Sequence, residues 1–305
     1  MNRINVKRLK NNPIIYPELD SSIGSNIAGP SLIRVPRWID NPLGKYYLYF
    51  AGHKGAYIRL AFANELEGPW EIYREGSLHI EESYFPTEPP QRKVRSNIRD
   101  DNVPHIASPD VHVIEENKEI RMYFHGLESK GRQLTRIAVS RDGIHFKAKP
   151  EILTPPYLRI FYYNEYYYGM SMPGIFYRSL NGEDRFERGP ILFSGKMRHS
   201  ALRIVGNQLQ VFWTQVGDSP ERILLSCIEL TEDWSTWKSS PPIEVMRSMK
   251  DWEGGNLEAI PSERGPVYEQ VCQLRDPAIY EENNRVYLLY SVAGERGIAI
   301  AELIF

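Results

Sequence analysis

The sequence predicts an all-β fold, a five-bladed β-propeller, on three observations. A unit of four short strand-like runs recurs five times along the 305 residues. β-Branched and aromatic residues cluster in short runs split by Gly, Pro and Asn, in a chain holding 19 Tyr, 11 Phe and 6 Trp. No long stretch shows the 3.6-residue periodicity of an amphipathic helix. Repetition of four-stranded units around an axis is the propeller solution to exposed sheet edges. Residues that open each unit should therefore converge on one axis, however far apart they lie in sequence.

The first blade is expected over 29–80, with strands at 31–38, 45–51, 57–64 and 70–73. The second starts near Ser108 and uses 110–114, 120–125, 136–140 and 146–149. The third, the most aromatic, uses 158–163, 166–172, 174–179 and 186–192. The fourth uses 200–205, 209–215, 222–230 and 237–245. The fifth has 277–280, 285–292 and 297–303. Polar stretches such as Glu115-Glu116-Asn117-Lys118, Gly206-Asn207 and Glu281-Glu282-Asn283-Asn284 read as hairpin turns.

The fifth blade lacks a fourth strand. Asn12-Pro13-Ile14-Ile15-Tyr16-Pro17 resembles the fourth-strand segments Lys149-Pro150-Glu151-Ile152 and Gly189-Pro190-Ile191-Leu192. An N-terminal strand is thus expected to close the last blade, which removes an open edge and makes 1–305 one domain. The long polar segments 81–107 and 246–274 each lead into a blade opening and should hang over the axis at one face.

The chain is 42% hydrophobic and 25% charged with a net charge of -2, so a core is affordable and no field for nucleic acid is expected. The basic patch Arg92, Lys93, Arg95 and Arg99 reads as a solvated loop. Two cysteines, Cys227 and Cys272, give neither a disulfide framework nor a zinc site, and Cys227 reads as a buried free thiol. The basic N-terminus lacks the apolar run of a secretion signal. No stretch approaches the roughly 18 apolar residues of a membrane helix, so no membrane partner and a cytoplasmic location are expected. The motifs GxGxxG, GxxxxGK[ST], HExxH and GxSxG are absent, leaving nucleotide cofactors and zinc proteolysis without support.

Candidate site residues come from the blade openings Ala28-Gly29-Pro30-Ser31, Ser108-Pro109-Asp110-Val111, Arg159-Ile160-Phe161-Tyr162, Arg198-His199-Ser200-Ala201 and Arg275-Asp276-Pro277-Ala278. Asp110 and Asp276 are the expected catalytic carboxylates, with His199 or Glu165 as a third proton-handling group. Arg198, Arg275, His112 and Tyr162 are the expected substrate-binding residues. Paired carboxylates around a cleft suit glycoside hydrolysis, where one protonates the leaving oxygen and the other activates water or attacks the anomeric carbon. Arginines hold hydroxyls or a sugar carboxylate, and tyrosines offer flat faces to sugar rings. Structural roles stand beside these. An Asp before Pro can cap a turn, Glu165 can be a hairpin residue, His199 can be a satisfied core histidine, and the 162–168 tyrosines can be strand packing. His105, His112 and His125 crowd the second blade without metal-ligand spacing, so no metal site is assigned.

These features resemble the five-bladed propeller glycosidases, the clan of glycoside hydrolase families 43, 32, 68 and 117. Ala107-Ser108-Pro109-Asp110-Val111 resembles the Ala-Pro-Asp-Val of family 43, and Arg275-Asp276-Pro277 is similar to the Arg-Asp-Pro triplet of several of these families. The resemblance implies that Asp110 tunes the acid's pKa and orients substrate. The sequence departs from family 43 at blade one, where Gly29 stands in place of the general-base Asp. No Glu-Gly-Pro acid motif follows blade three: Glu67-Gly68-Pro69 lies in blade one and Glu253-Gly254-Gly255 precedes blade five. Family 117 uses a His as acid, for which His199 is a counterpart by type. A divergent branch of the clan is the implied placement. No cofactor is required, and a cation in the axial channel, as some relatives carry, has no named ligands. The expected function is hydrolysis of a small oligosaccharide or glycoside. The alternatives are a carbohydrate-binding propeller without catalysis, consistent with Gly29, and a protein-interaction propeller.

Overall fold

The structure, a computed structural model, describes residues 4–90, 102–129 and 131–305. The basic patch Arg92, Lys93, Arg95 and Arg99 lies outside the described residues. Five four-stranded antiparallel sheets form the five blades. Blade one holds β2 (Ala28–Arg34), β3 (Tyr46–Ala51), β4 (Tyr57–Ala63) and β5 (Glu71–His79). Blade two holds β6 (Ile106–Ile114), β7 (Glu119–Ser129), β8 (Arg132–Ser140) and β9 (Lys147–Ala148). Blade three holds β10 (Arg159–Tyr163), β11 (Tyr166–Ser171), β12 (Ile175–Ser179) and β13 (Glu187–Ile191). Blade four holds β14 (Met197–Val205), β15 (Gln208–Gln215), β16 (Ile223–Glu229) and β17 (Ile243–Met246). Blade five holds β18 (Arg275–Glu282), β19 (Arg285–Ser291), β20 (Ile298–Ile304) and the N-terminal β1 (Asn5–Arg8).

Two expectations need correction. The closing strand is Asn5–Arg8, which runs antiparallel to β20 from Asn5 opposite Ile304 to Arg8 opposite Ala301. The segment Asn12-Pro13-Ile14-Ile15-Tyr16-Pro17 follows the same edge but adds only a bridge between Ile15 and Ile298, because two prolines remove donors from it. The true strand, Asn-Val-Lys-Arg, is too short and polar to stand out. The outer strand of blade four is Ile243–Met246 instead of 237–245. Trp237 is buried with Trp234 and Phe176 beneath the blade, where its ring fills space no strand residue reaches.

The core is a ring of interfaces between neighbouring blades. Strand β3 shows how the sequence builds it. Tyr46, Leu48 and Phe50 pack toward blade five, while Tyr47, Tyr49 and Ala51 pack toward blade two. Both faces are buried, so the strand reads as an unbroken apolar run instead of alternating. Side chains on the two faces lock each blade to both neighbours, which is why ring closure matters.

That closure rests on Glu253, fully buried in the loop before blade five. Its carboxylate accepts from Arg8 of β1 (Nε–Oε1 2.6 Å, Nη2–Oε2 3.0 Å), from the Tyr290 hydroxyl of β19 (2.9 Å) and from the Met249 N–H (2.8 Å). The Glu253-Gly254-Gly255 motif is therefore a latch for the N-terminal strand. Removing one partner of a buried ion pair costs about 3–5 kcal/mol. Glu253→Ala should lower unfolding stability by that order in urea titration; a loss below about 1 kcal/mol would show that the latch contributes little.

Candidate functional site

Four blade openings share one backbone device. Register shifts by one residue between Ala28 and Ser31, Ala107 and Asp110, Arg198 and Ser200, and Arg275 and Ala278. The extra residue in each bulge is left-handed: Gly29 (φ 66°), Ser108 (51°), His199 (44°) and Asp276 (45°). Blade three reaches the same conformation just before β10, at Tyr157 (63°). Non-glycine residues hold this conformation at roughly 1–2 kcal/mol each, and bulges commonly re-aim side chains at functional sites. Gly29 is tightly placed: a Cβ there would lie 3.1 Å from the Ser108 Cα, so a carboxylate at the blade-one opening would require the Ser108 backbone to give by a few tenths of an ångström.

A cavity of about 250 Å³ opens at this end of the axis. Its wall includes His53, Lys54, His105, Ser108, His125, Tyr157, Arg198, His199 and Arg264. As expected, the long loops reach this face, with His105 from the first and Arg264 from the second. The turns after each blade's second strand also contribute. Gly52-His53-Lys54 and Met172 line the cavity, while Glu221 and Glu295 sit buried beneath it.

Below the wall lies a layer of buried charge. Arg198 donates through Nε to Glu221 (3.0 Å) and also through Nη2. Arg275, fully buried, donates to Gln273 (2.6 Å) and pairs with Glu295 (2.8 Å). Arg159 spans three blades by donating to the carbonyls of Ser200 (2.9 Å), Ser108 (3.1 Å) and Pro109 (3.1 Å). Asp276 accepts from the Tyr157 hydroxyl (3.3 Å) and the Ser291 hydroxyl (3.3 Å).

Two imidazole–carboxylate pairs result. His199 Nε2 is 3.6 Å from Asp276 Oδ1, and His53 Nδ1 is 3.4 Å from Glu295 Oε2. Burial, reinforced by nearby Glu295, raises the Asp276 pKa to about 6 despite its arginine neighbours. Burial would raise Glu295 too, but His53, Arg275 and Asn26 outweigh it and hold that carboxyl at about 2. Burial, aided by Arg198 and Arg275, keeps His199 well below the ordinary histidine pKa and hence neutral. His199 Nδ1 lies 3.1 Å from the Thr214 hydroxyl, which also reaches the Arg198 carbonyl (3.3 Å), and its Nε2 faces Asp276. Burial, with Lys54 nearby, pushes His105 down to about 3, and its Nδ1 donates to the Val103 carbonyl (2.7 Å). His125 is lowered likewise by burial and packs against Tyr157 with ring centres 4.7 Å apart and planes tilted by 32°.

The expected residues divide. His199 and Arg198 line the cavity, and Asp276 and Arg275 lie directly beneath it. Asp110 does not meet Asp276 across one cleft. The bulge aligns Asp110 with Ala278, and aligns Ser108 with Asp276. Asp110 faces the other end of the axis, bonded to His112 (2.7 Å) and the Ile160 N–H (2.8 Å) in a separate cavity of about 130 Å³. Burial opposes its ionisation, but His112 and Arg159 prevail and hold its pKa below the usual range. His112 and Tyr162 line another cavity at that far end. Glu165 is exposed there, in the turn between β10 and β11. Sequence reasoning missed His53, Tyr157, Glu221 and Glu295. For His53, Glu221 and Glu295 the signal was the turn after the blade's second strand, as in Gly52-His53-Lys54-Gly55 and Ala293-Gly294-Glu295-Arg296. Among the described residues, no group of three or more His, Cys, Asp or Glu could hold a metal ion.

No family model matches the chain. It is 33% identical over 321 residues to the uncharacterized protein R118 of Acanthamoeba polyphaga mimivirus, covering 97% of this chain and 88% of that protein. The chain belongs to the family of this mimiviral protein. Among solved structures it resembles a GH43 β-xylosidase/α-arabinofuranosidase from a compost microbial metagenome in complex with xylotriose (TM-score 0.61, 12% identity, 98% of this chain and 96% of that one). It also resembles an N-acetylgalactosamine deacetylase from F. plautii (TM-score 0.60, 11% identity, 97% and 95%) and a GH43_1 enzyme from Xanthomonas citri (0.59, 12%, 92% and 89%). The chain thus shares the five-bladed propeller of family 43 glycosidases.

The Asp276 environment has a signed consequence for stability. The unfolded carboxyl ionises near its ordinary 3.8, the folded one near 6. Stability is therefore unaffected below about pH 4 and lost as pH rises through 6, by up to about 3 kcal/mol at roughly 1.4 kcal/mol per pH unit. Asp276→Asn cannot ionise. Its melting temperature relative to wild type should climb between pH 4.5 and 8; a difference independent of pH would contradict the assignment.

Proposed function

We propose that this protein hydrolyses a small oligosaccharide or glycoside in the axial cavity, using two imidazole–carboxylate pairs as its proton-handling groups. The observation that carries this is the juxtaposition of His199–Asp276 and His53–Glu295 on one cavity, with backing carboxyls near 6 and near 2. Environments that push paired carboxyls apart divide acid from base roles. His199 Nε2 takes a proton from water, and Asp276 stabilises the imidazolium formed. The water oxygen bonds to the anomeric carbon as the glycosidic C–O bond breaks. His53, oriented by Glu295, delivers a proton to the leaving oxygen. Arg198 and Arg275 are positioning residues, holding Glu221 and Glu295 in place beneath the wall. The carboxylates act from behind histidines, and the blade-one opening carries Gly29 and supplies no direct base. Asp110, His112, Tyr162 and Glu165, at the far end, stand outside this chemistry in our reading. The ligand is a small carbohydrate, as in neighbours whose structures hold xylotriose or xylose. The two free buried cysteines fit a cytoplasmic setting, which belongs to the same reading.

A second reading is favoured by the wall's imidazoles and by the likeness to a structure described as an N-acetylgalactosamine deacetylase: removal of an acyl substituent from a sugar. The same water-activating His199 would serve there. The non-catalytic binding reading draws on Gly29 alone.

A panel of chromogenic α- and β-glycosides and acetylated sugars distinguishes these readings. Aglycone release, reduced about 10²–10⁴-fold in kcat/KM by His199→Gln and by His53→Gln but not by Glu165→Gln, is the expected outcome. Acetate release instead of aglycone would select deacylation. Sugar binding with no turnover would leave a binding propeller.

A further inference from the structure

Among the described residues four histidines line the axial cavity, and the protein itself engages three of them. His53 pairs with Glu295, His105 bonds through Nδ1 to the Val103 carbonyl, and His199 lies between Thr214 and Asp276. His125 differs. Its Nδ1 is sealed from solvent and has no hydrogen-bond partner, and its Nε2, which is not sealed, has none among the described residues either. The residue is only 3% exposed, so this is a buried imidazole with both nitrogens unpaired. Its position is nonetheless fixed. The ring stands edge-on to His105 (centres 6.1 Å apart) and against Tyr157 (4.7 Å), and strand β7 pins its backbone opposite Ala107 and Thr135. Burial, aided by His105, His53, Arg159 and Lys54 nearby, keeps the ring uncharged.

Packing alone does not call for a histidine here, since an apolar ring would make the same contacts without an unpaired polar atom. Buried polar atoms in folded proteins are nearly always hydrogen-bonded, and an exception that faces a cavity marks a group that meets a ligand. The sealed Nδ1 also sets the tautomer. An N–H buried without an acceptor is less tolerable than a lone pair buried without a donor, so the hydrogen sits on Nε2. Since His125 lines the cavity and Nδ1 is closed off, Nε2 is the nitrogen the cavity reaches. The wall thus holds one rigid N–H with no protein acceptor. We infer that His125 is a specificity-determining residue of the axial cavity, its Nε2–H donating to one hydroxyl oxygen of the bound saccharide. The inference rests on the saccharide reading and names a contact within it. His125 takes no part in the proton transfers of turnover; its role is selection, because a site built to bond one hydroxyl rejects the sugar that lacks it.

The test is isothermal titration of the full chain with methyl gluco-, galacto-, manno- and xylopyranosides and each of their monodeoxy counterparts, on wild type and on His125→Phe, His125→Gln and His125→Asn. One deoxy sugar should bind wild type about tenfold or more weakly than its parent. His125→Phe should weaken the parent by the same factor and make the two sugars equal. Glutamine carries its amide nitrogen near the Nε2 position and should recover part of the affinity, while asparagine, with its nitrogen near the Nδ1 position, should not. The melting temperature of His125→Phe should match or exceed that of wild type, since the change removes an unpaired polar atom. Nitrogen-15 NMR should place the His125 hydrogen on Nε2. A deoxy penalty that survives His125→Phe, a parent sugar bound equally by wild type and His125→Phe, or a hydrogen on Nδ1 would overturn the inference while leaving the saccharide reading intact. A melting temperature lowered in all three variants would mark a structural histidine and overturn it likewise. Should none of these sugars bind wild type, the saccharide reading falls and the inference with it.

Discussion

Buried charge at the axis is the constraint on which the rest of the site depends. Arg159, Arg198 and Arg275 come from three successive blades and are all but sealed from solvent. Desolvating such groups is expensive, and only complete hydrogen bonding makes it tolerable. The network crosses blade boundaries at three points: Arg159 donates to carbonyls of blades two and four, Arg275 of blade five lies 3.6 Å from Glu221 of blade four, and Glu295 of blade five pairs with His53 of blade one. A blade that slipped would strand a charge. The network therefore fixes blade register where the apolar interfaces alone would allow repacking.

The same layer sets the chemistry above it. Left-handed bulge residues bring Ser108, Tyr157, His199 and Asp276 to one level. The arginines keep Glu221 and Glu295 ionised, while Asp276, faced by Glu295 and by burial, holds its proton toward neutrality. His199 stays neutral because burial, aided by Arg198 and Arg275, disfavours a second proton. The carboxylates stay buried, and imidazoles meet the cavity.

Most of the fold was legible in the sequence because its signals are local. Aromatic runs, polar hairpin turns and the repeat spacing located the strands of all five blades, most to within one or two residues where no bulge intervenes. The closing strand was misplaced because Asn5–Arg8 owes its strand state to β20 and Glu253, not to its own composition. The site was legible only in part. His199, Arg198, Asp276 and Arg275 were found from the blade openings. Asp110 was paired with Asp276 because both stand in blade openings, but a one-residue bulge puts Ser108 at the level of Asp276. Such a bulge has no composition of its own. Glu221, Glu295 and His53 sit in turns after second strands, where polar residues look like ordinary surface.

The most direct measurement is a pH titration of the seven histidine side chains by nitrogen-15 NMR, with and without a bound saccharide. The account predicts that His105, His125 and His199 stay neutral through pH 5, that His199 carries its hydrogen on Nδ1, and that saccharide shifts His199 and His53 together. His199 titrating near its ordinary 6.5, or a saccharide that moves His112 while leaving His199 and His53 unchanged, would contradict it.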